Sequence, residues 1–214
     1  MSSATKRQVP LALQKILKVD VYVTDLICNV AEKCVPLRSL RVHYKLLEVS
    51  CHGLLWLAGW LFLIWVLWRP SLFQMQVNFY LGLLIDIVAV AIIKALTRRR
   101  RPAANRDDMF MTIGPDKYSF PSGHVSRACY IAFFFIYLYP VHIIFIMPLL
   151  AWSASVTMSR ILMRRHHLLD VLGGIVLGVF EVFVIFLFWI DQDTSLYLVS
   201  SISDEKISGG DYHV

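Results

Sequence analysis

Long runs without charged residues constrain this chain more than any other feature. Charged residues form only 17% of the 214 residues, 57% are hydrophobic, and the charges are bunched. The runs between them match the roughly 20 helical residues that cross a bilayer. They extend over 51–68, 70–93, 128–159 and 171–190, interrupted only by Asp86 and Glu181. A chain this apolar is predicted to be an all-α integral membrane protein rather than a soluble domain.

The run over 128–159 is too long for one helix. Pro140 and Pro148 lie inside it, and proline interrupts a helix because it lacks a backbone N–H. We therefore expect two spans that meet at Tyr139 to His142. With the other three runs, the sequence predicts about five transmembrane helices in one bundle.

The chain divides into three segments by composition. Residues 1–50 carry apolar residues at helical spacing with charges between them, which is typical of an amphipathic helix on the membrane interface. A solvated helix packed on the domain is an equally good interpretation. Residues 51–190 are expected to form the transmembrane domain, and residues 191–214 a mobile acidic tail with nothing to bury.

The net charge of +6 raises the question of a polyanionic partner such as nucleic acid. The basic residues cluster in the N-terminal segment, at Arg98 to Arg101 and at Arg160 to Arg165, all beside the ends of predicted spans. Lipid headgroups and phosphate-bearing substrates are the nearer anions there. We expect membrane lipids as partners and no nucleic acid, and the sequence leaves the oligomeric state open.

The cysteines predict neither a zinc site nor disulfides. They show no C-x-x-C spacing, so Cys28, Cys34, Cys51 and Cys129 are expected to be free thiols. The first 20 residues lack a continuous apolar core, which predicts no cleavable signal peptide. The first span is expected to serve as the insertion signal.

Three polar clusters lie near the ends of the predicted spans. The loop over 97–120 joins the first cluster to the second, and two further spans separate the second from the third. All three are therefore predicted on one face of the membrane. Their cations, histidines and carboxylate are what hydrolysis of a phosphate ester through a phosphohistidine requires. The clusters are Lys94 with Arg101-Pro102, Pro121-Ser122-Gly123-His124, and Ser159-Arg160 followed by His166 and Asp170.

The second cluster is predicted to begin a helix. Ser122 is a natural N-cap, and Gly123 lets the backbone approach a ligand closely. The first N–H groups and the positive end of the helix dipole form an anion site. Taken alone, the pattern also fits a capped helix with an incidental histidine.

His166 and Asp170 are four residues apart, which on a helix places them on one face. Asp170 is predicted to accept the Nδ1–H of His166, which leaves Nε2 as a nucleophile toward phosphorus. His167 projects from another side of such a helix and is left out of the predicted catalytic set. A surface hydrogen bond is the other interpretation of this spacing.

Cations are predicted to bind the non-bridging oxygens of the phosphoryl group, where charge develops. Lys94, Arg101 and Arg160 fill this role, and a planar guanidinium holds two oxygens at once. The run over 98–100 is expected only to anchor the chain at the membrane. Asp86 and Glu181 lie too deep for the chemistry and are expected to hydrogen-bond between helices.

Taken in order, K-x6-RP, PSGH and SR-x5-H-x3-D resemble the type 2 phosphatidic acid phosphatase (PAP2) superfamily, which includes lipid phosphate phosphatases and vanadium haloperoxidases. The resemblance implies a membrane helical bundle of the PAP2/haloperoxidase type, with residues 51–190 as its catalytic domain. It implies that His166 attacks phosphorus, His124 protonates the leaving oxygen and Asp170 orients His166. The residues that it assigns to the phosphate are Lys94, Arg101, Ser122, Gly123 and Arg160.

Around the motifs, the chain resembles the branch that includes the polyisoprenoid diphosphate (presqualene diphosphate) phosphatases. The stretches that carry this likeness are Arg98 to Ala103, Asp116 to Phe120 and Arg127. Arg127 either pairs with a carboxylate or binds a second phosphate, since an unpaired cation is costly in lipid. We include it among the predicted substrate-binding residues. The chain departs from the common plan in having two spans before the first motif rather than three.

These observations predict a metal-independent phosphatase, without a cofactor, that acts on isoprenoid or presqualene diphosphates and related lipid phosphates. No second carboxylate cluster that could hold magnesium accompanies the motifs. Two alternatives stay open: a broad lipid phosphate phosphatase acting on phosphatidate or sphingosine phosphate, and a catalytically silent membrane scaffold. We expect a multi-pass protein of the endoplasmic reticulum or nuclear envelope, with its site on the cytoplasmic face by the positive-inside rule.

Overall fold

The computed structural model describes residues 10–34, 40–105 and 117–202. These residues form helices and no strand, apart from one isolated bridge between Arg100 and Tyr118. The all-α class is confirmed. The helices are α1 (Leu11–Lys33), α2 (Arg41–Ser50), α3 (Gly53–Val66), α4 (Pro70–Thr97), α5 (Gly123–Phe133, continued by a π-helical turn Phe134–Leu138), α6 (Ile143–Leu162), α7 (Leu168–Leu187) and α8 (Gln192–Ile202).

Three of the described helices are long and apolar enough to cross a membrane: α4, α6 and α7. The count rises to four if α2 and α3, which are bent by 53° relative to each other, form one span. The other two spans of the predicted five correspond to α3 alone, with 14 residues, and α5, with 11. The predicted break inside the run over 128–159 is present, because α5 with its π-helical turn ends at Leu138 and α6 begins at Ile143.

An aromatic core holds the middle of the bundle together. The rings of Trp60 and Phe79 lie 4.0 Å apart, and those of Phe79 and Phe134 lie 5.0 Å apart in an edge-to-face arrangement. Apolar side chains on the outside remain exposed, such as Val176 at 69% and Phe186 at 62%. Exposed residues of this kind fit a lipid environment, as expected of an integral membrane protein.

Helices α5 and α7 approach each other through two glycines of α7. A Cβ atom at Gly174 would lie 2.7 Å from the carbonyl oxygen of Ser122. One at Gly178 would lie 2.3 Å from the carbonyl oxygen of Ser126. Small residues four apart are the usual means of close helix contact in membranes. The start of α5 is thus held directly against the first half of α7.

The N-terminal helix α1 buries polar residues and exposes apolar ones. Its buried residues are Asp20, Thr24 and Cys28, whereas Leu11 and Tyr22 are exposed. Helix α2 likewise buries Glu48. The polar side of α1 therefore faces the bundle, and its apolar side is exposed.

The segment after residue 190 differs from the predicted mobile tail. Asp191 accepts hydrogen bonds from the backbone and hydroxyl of Thr194, both at 2.9 Å, and so caps α8. Helix α8 packs against α4 and buries Ser195 and Val199. An N-cap and two buried residues suffice to order this stretch, and residues 203–214 lie outside the described part of the chain.

Candidate active site

The structure brings the three motifs together at one end of the bundle. The backbone N–H of Ser122 donates to the carbonyl of Asp170 at 3.0 Å, which joins the second motif to the third. Arg101 Nη1 donates to the carbonyl of Arg165 at 3.1 Å, which joins the first motif to the third. The ends of α4 and α6 and the starts of α5 and α7 therefore surround a single site.

His166 lies in the loop between α6 and α7 and is only 2% exposed. Its Nδ1 lies 2.8 Å from the carbonyl oxygen of Ser119. Since a carbonyl only accepts, Nδ1 carries the hydrogen and Nε2 keeps its lone pair. The predicted partner was wrong, because Asp170 Oδ2 is 3.9 Å from this nitrogen. The reason is that α7 begins at Leu168, so His166 does not lie one helical turn before Asp170.

Asp170 instead closes a capping box at the start of α7. Its Oδ2 accepts the backbone N–H of His167 at 2.8 Å and lies 3.3 Å from His167 Nδ1. Its Oδ1 accepts from Arg99 Nη1 at 2.7 Å. Asp170 therefore acts on the His166 loop through the neighbouring residue His167, which the sequence analysis left out.

The charges around His166 favour its neutral form. Burial, and after it the positive charges of Arg101, Lys94 and Arg160, lower the pKa of His166 well below its usual range. Lys94 and Arg160 are themselves buried. A neutral imidazole beside several cations combines a free lone pair with a place for an anion.

Arg160 has a carboxylate partner that the sequence did not predict. Arg160 Nη1 lies 3.2 Å from Glu48 Oε2, and Arg165 Nη2 lies 3.5 Å from the same oxygen. All three side chains are buried. In the sequence, Glu48 is a lone acid before the first apolar run and Arg165 belongs to a basic cluster, so neither carried a signal of its own.

His124 is the second residue of α5. Its Nε2 lies 3.1 Å from the carbonyl oxygen of Glu48, which requires the hydrogen on Nε2 and leaves Nδ1 for another partner. The thiol of Cys51 donates to the carbonyl of His124 at 3.1 Å, and the His52 ring lies 6.5 Å away. The break between α2 and α3 thus packs directly against this histidine.

Ser122 is the N-cap residue of α5 by position, but its hydroxyl makes no capping bond. Among the described residues its Oγ is buried without a hydrogen-bond partner. Gly123 packs closely against Val90, whose Cγ1 would lie 3.1 Å from an added Cβ. The predicted side-chain cap is therefore absent.

Of the two roles predicted for Arg127, pairing with a carboxylate or binding a second phosphate, the structure shows the pairing. Its Nη2 lies 2.6 Å from Asp86 Oδ2, and its Nη1 donates to the carbonyl of Cys51 at 3.0 Å. Ser126 also donates its hydroxyl to Asp86. The helix-to-helix bonding predicted for Asp86 is confirmed. The same prediction was wrong for Glu181, whose buried carboxylate oxygens have no hydrogen-bond partner among the described residues.

Arg99 is a site residue that the sequence analysis missed. It belongs to the arginine run that was expected only to anchor the chain, and its neighbour Arg98 is indeed exposed. Arg99 instead bridges Asp170 and Asp20 with its two terminal nitrogens. Four identical residues in a row give no periodicity that could single out the inward-facing one.

Cysteine, histidine and carboxylate side chains, which can bind metal ions, also occur in the described part of the chain. The four cysteines are free, as predicted, and Cys28, Cys51 and Cys129 are buried. Within residues 10–34, 40–105 and 117–202, no group of three or more His, Cys, Asp or Glu side chains is placed to hold a metal ion. The ionisable groups at the site are instead joined to one another by the hydrogen bonds and ion pairs described above.

Comparison with known proteins gives a family match. A PAP2 superfamily model matches residues 75–193, more than half of the chain. The chain is 34% identical over 137 residues to a probable lipid phosphate phosphatase beta of Arabidopsis thaliana, a region that covers 52% of this chain and 64% of that relative. It thus spans less than two thirds of the length of that relative. No solved structure matches the chain.

Proposed function

The chain belongs to the PAP2 superfamily, and from this premise we propose that it hydrolyses lipid phosphates or diphosphates through a phosphohistidine on His166. One observation carries the proposal. His166 is buried and neutral beside Lys94, Arg101 and Arg160, with Nδ1 bound to a carbonyl and the lone pair left on Nε2. A nucleophile for phosphorus and the charges for its non-bridging oxygens are thus next to each other.

The proposed reaction has two steps. The Nε2 lone pair of His166 attacks phosphorus, the bond from phosphorus to the leaving oxygen breaks, and His124 gives that oxygen a proton. A water molecule then attacks the phosphohistidine, His124 takes one of its protons, and inorganic phosphate leaves. His124 ends the cycle protonated again, so no other reactant is consumed.

The remaining predicted residues bind the phosphoryl group in this proposal. Lys94 and Arg101 contribute charge, while the Ser122 hydroxyl and the Gly123 N–H donate hydrogen bonds at the start of α5. Arg160 contributes charge while it shares its guanidinium with Glu48. The hydroxyl supports this assignment because it is buried without a partner among the described residues.

A lipid substrate is supported by the position of the site at the ends of apolar helices. The likeness of residues 98–103 and 116–120 to the isoprenoid diphosphate branch supports a diphosphate as the first candidate, although Arg127 no longer supports it. A broad lipid phosphate phosphatase is the second candidate, favoured by the name of the Arabidopsis thaliana relative. We also propose a multi-pass protein of the endoplasmic reticulum or nuclear envelope, with the site facing the cytoplasm.

The test is phosphate release by the purified chain in detergent micelles, with EDTA present. The substrates are farnesyl diphosphate, presqualene diphosphate, phosphatidate and sphingosine phosphate. We expect release from at least one of them by the wild type and none by His166→Ala. A requirement for added magnesium, or equal rates in the two proteins, contradicts the mechanism, and no release from any substrate favours the scaffold.

A further inference from the structure

Helix α1 is hydrogen-bonded to the start of the helix that follows His166. Asp20 Oδ1 accepts the backbone N–H of Leu169 at 2.9 Å, and Thr24 Oγ1 accepts that of Leu168 at 3.0 Å. The first N–H groups of a helix have no partner inside it and must be satisfied from elsewhere. Here two of them are satisfied by side chains 149 and 144 residues earlier in the chain.

The contact continues along the same side of α1. Cys28, four residues after Thr24, donates its thiol hydrogen to the carbonyl of Ile161 at 3.2 Å. Asp20, Thr24 and Cys28 therefore form one buried row with helical spacing. This row touches the end of α6 and the start of α7, the two helix ends that hold the His166 loop.

Arg99 connects this row to the residues that position His166. Its side chain bridges Asp20 and Asp170, both buried. Its backbone carbonyl accepts the N–H of Ser119 at 2.8 Å, and the carbonyl of Ser119 is the partner of His166 Nδ1. The backbone of Arg99 therefore contacts Ser119, and its side chain contacts Asp170. Both of these residues help to position His166.

The charges in this network depend on one another. One guanidinium serves two carboxylates in a buried place, so removing any member leaves the others incompletely neutralised. Neutralising Asp20 would also leave Arg99 to Asp170 alone and weaken the bond at Leu169. Both changes act at the start of α7, at Asp170 and Leu169, four and three residues after His166.

We infer that α1 is a positioning element of the active site, in which Asp20 and Thr24, acting with Arg99, set the start of α7 and hence the place of His166. These residues lie outside the three motifs. The inference rests on the proposed function, since it assigns the row a purpose in a reaction at His166. It makes them positioning residues, which do not themselves touch the substrate.

The test compares Asp20→Asn and Thr24→Val with Asp25→Asn in the full chain. Asp25 is the matched control, because it lies on the same helix and its side chain is 51% exposed in an ion pair with Arg164. We expect kcat per folded molecule to fall about 10- to 100-fold in Asp20→Asn, since small displacements of a nucleophile are costly. The KM of Asp20→Asn should stay within about threefold of the wild-type value. The kcat of Asp25→Asn should stay within about twofold of wild type.

A double-mutant cycle with Arg99→Gln adds a readout that a merely structural role would not move. If Asp20 and Arg99 act as a unit, the kcat of the double variant should resemble that of the lower single variant rather than the product of both losses. Hydrogen exchange gives a measurement independent of activity. The amides of Leu168 and Leu169 should exchange faster in Asp20→Asn than in wild type or Asp25→Asn.

The possible outcomes distinguish the positioning role of α1 from the proposed function. Unchanged kcat per folded molecule in Asp20→Asn and Thr24→Val, even with a lower unfolding temperature, overturns the inference. So does failure of both variants to fold, because the row would then serve the fold as a whole. An inactive wild type refutes the proposed function alone. In that case, unchanged exchange at Leu168 and Leu169 in Asp20→Asn would refute the positioning as well.

Discussion

Arg99 and Arg127 both pair with buried aspartates, but in different regions of the bundle. Arg99 bridges Asp170 and Asp20 at the site end. Arg127 pairs with Asp86, which lies on α4 eight residues before Lys94, or about 12 Å along the helix. The sequence analysis expected Arg99 only to anchor the chain, and for Arg127 it left open a carboxylate partner or a second phosphate. The location of the partner carboxylate, rather than the distance in sequence from a motif, decides what a buried arginine does.

The two regions also differ in what their polar groups bind. At the site end, side chains satisfy loop carbonyls and helix starts, as Ser119 and Asp170 illustrate. In the deep region, Asp86 is held by Arg127 and Ser126 and joins α4 to α5. Changes at the site end should therefore alter turnover, and changes in the deep region should alter stability.

After His166→Ala, which should abolish turnover, the largest effect is expected for His124→Ala at the site end. Loss of the general acid should reduce hydrolysis of an alkyl lipid phosphate by roughly 10²- to 10⁴-fold. An activated aryl phosphate, whose leaving group needs no proton, should lose far less. The measurement is kcat for the two substrates in both proteins, and an equal loss on both would remove His124 from the acid role.

Asp86→Ala should act on the deep region instead. Breaking a buried ion pair by removing one partner costs about 3–5 kcal/mol, because the other charge stays buried. We expect this loss in the free energy of unfolding in micelles, with kcat per folded molecule unchanged. Replacing both partners, as Asp86→Leu with Arg127→Met, should recover much of the stability.

The same pair gives a specificity control. Arg127→Met should lower activity on monophosphates and diphosphates to the same extent, since the guanidinium is bound to Asp86. A selective loss of activity on diphosphates would show that Arg127 reaches the substrate. It would contradict the assignment of Arg127 to a region that affects only stability.

The smallest effect is a shift in pH dependence. Because the pKa of His166 is lowered, its nucleophilic neutral form should persist below the ordinary histidine range, and kcat/KM should fall only at lower pH. Removing a nearby positive charge raises a histidine pKa. Arg101→Gln should therefore move this acid limb to higher pH.

Arg100→Gln is the matched control for that shift, because Arg100 is the exposed neighbour of Arg101. Both variants are compared on one substrate, so that ionisation of the phosphate itself cancels. An equal shift in both variants, or none in either, would contradict the electrostatic assignment at His166.

The sequence predicted the meeting of the motifs well, because each is short and lies at the end of an apolar run. It failed for Asp20, Thr24 and Glu48, since polar residues in an amphipathic pattern are normally expected to face water. In a membrane protein the pattern is reversed, and only the packed structure reveals which side faces inward. Asp116 and the N-terminal residues before residue 10 lie outside the described part of the chain, so what was predicted for them stays a prediction.

The partner of His166 could not be predicted for a different reason. Whether Asp170 reaches His166 or His167 depends on the residue at which α7 begins, and helix boundaries read from sequence are uncertain by one or two residues. The capping box formed by His167 and Asp170 shows that α7 begins at Leu168, which brings Asp170 to His167. The prediction for Glu181 was wrong because its burial gave reason to expect a hydrogen-bond partner, and the described residues provide none.

The two glycines of α7 have a consequence for motion. Gly174 and Gly178 leave no side chain between α7 and the carbonyls of Ser122 and Ser126, so the two helices meet backbone to backbone. Because no flexible side chain lies at this contact, we expect α5 and α7 to move as one rigid body that includes Ser122 and Asp170. We therefore expect motion at the site mainly where α5 and α7 contact the other helices.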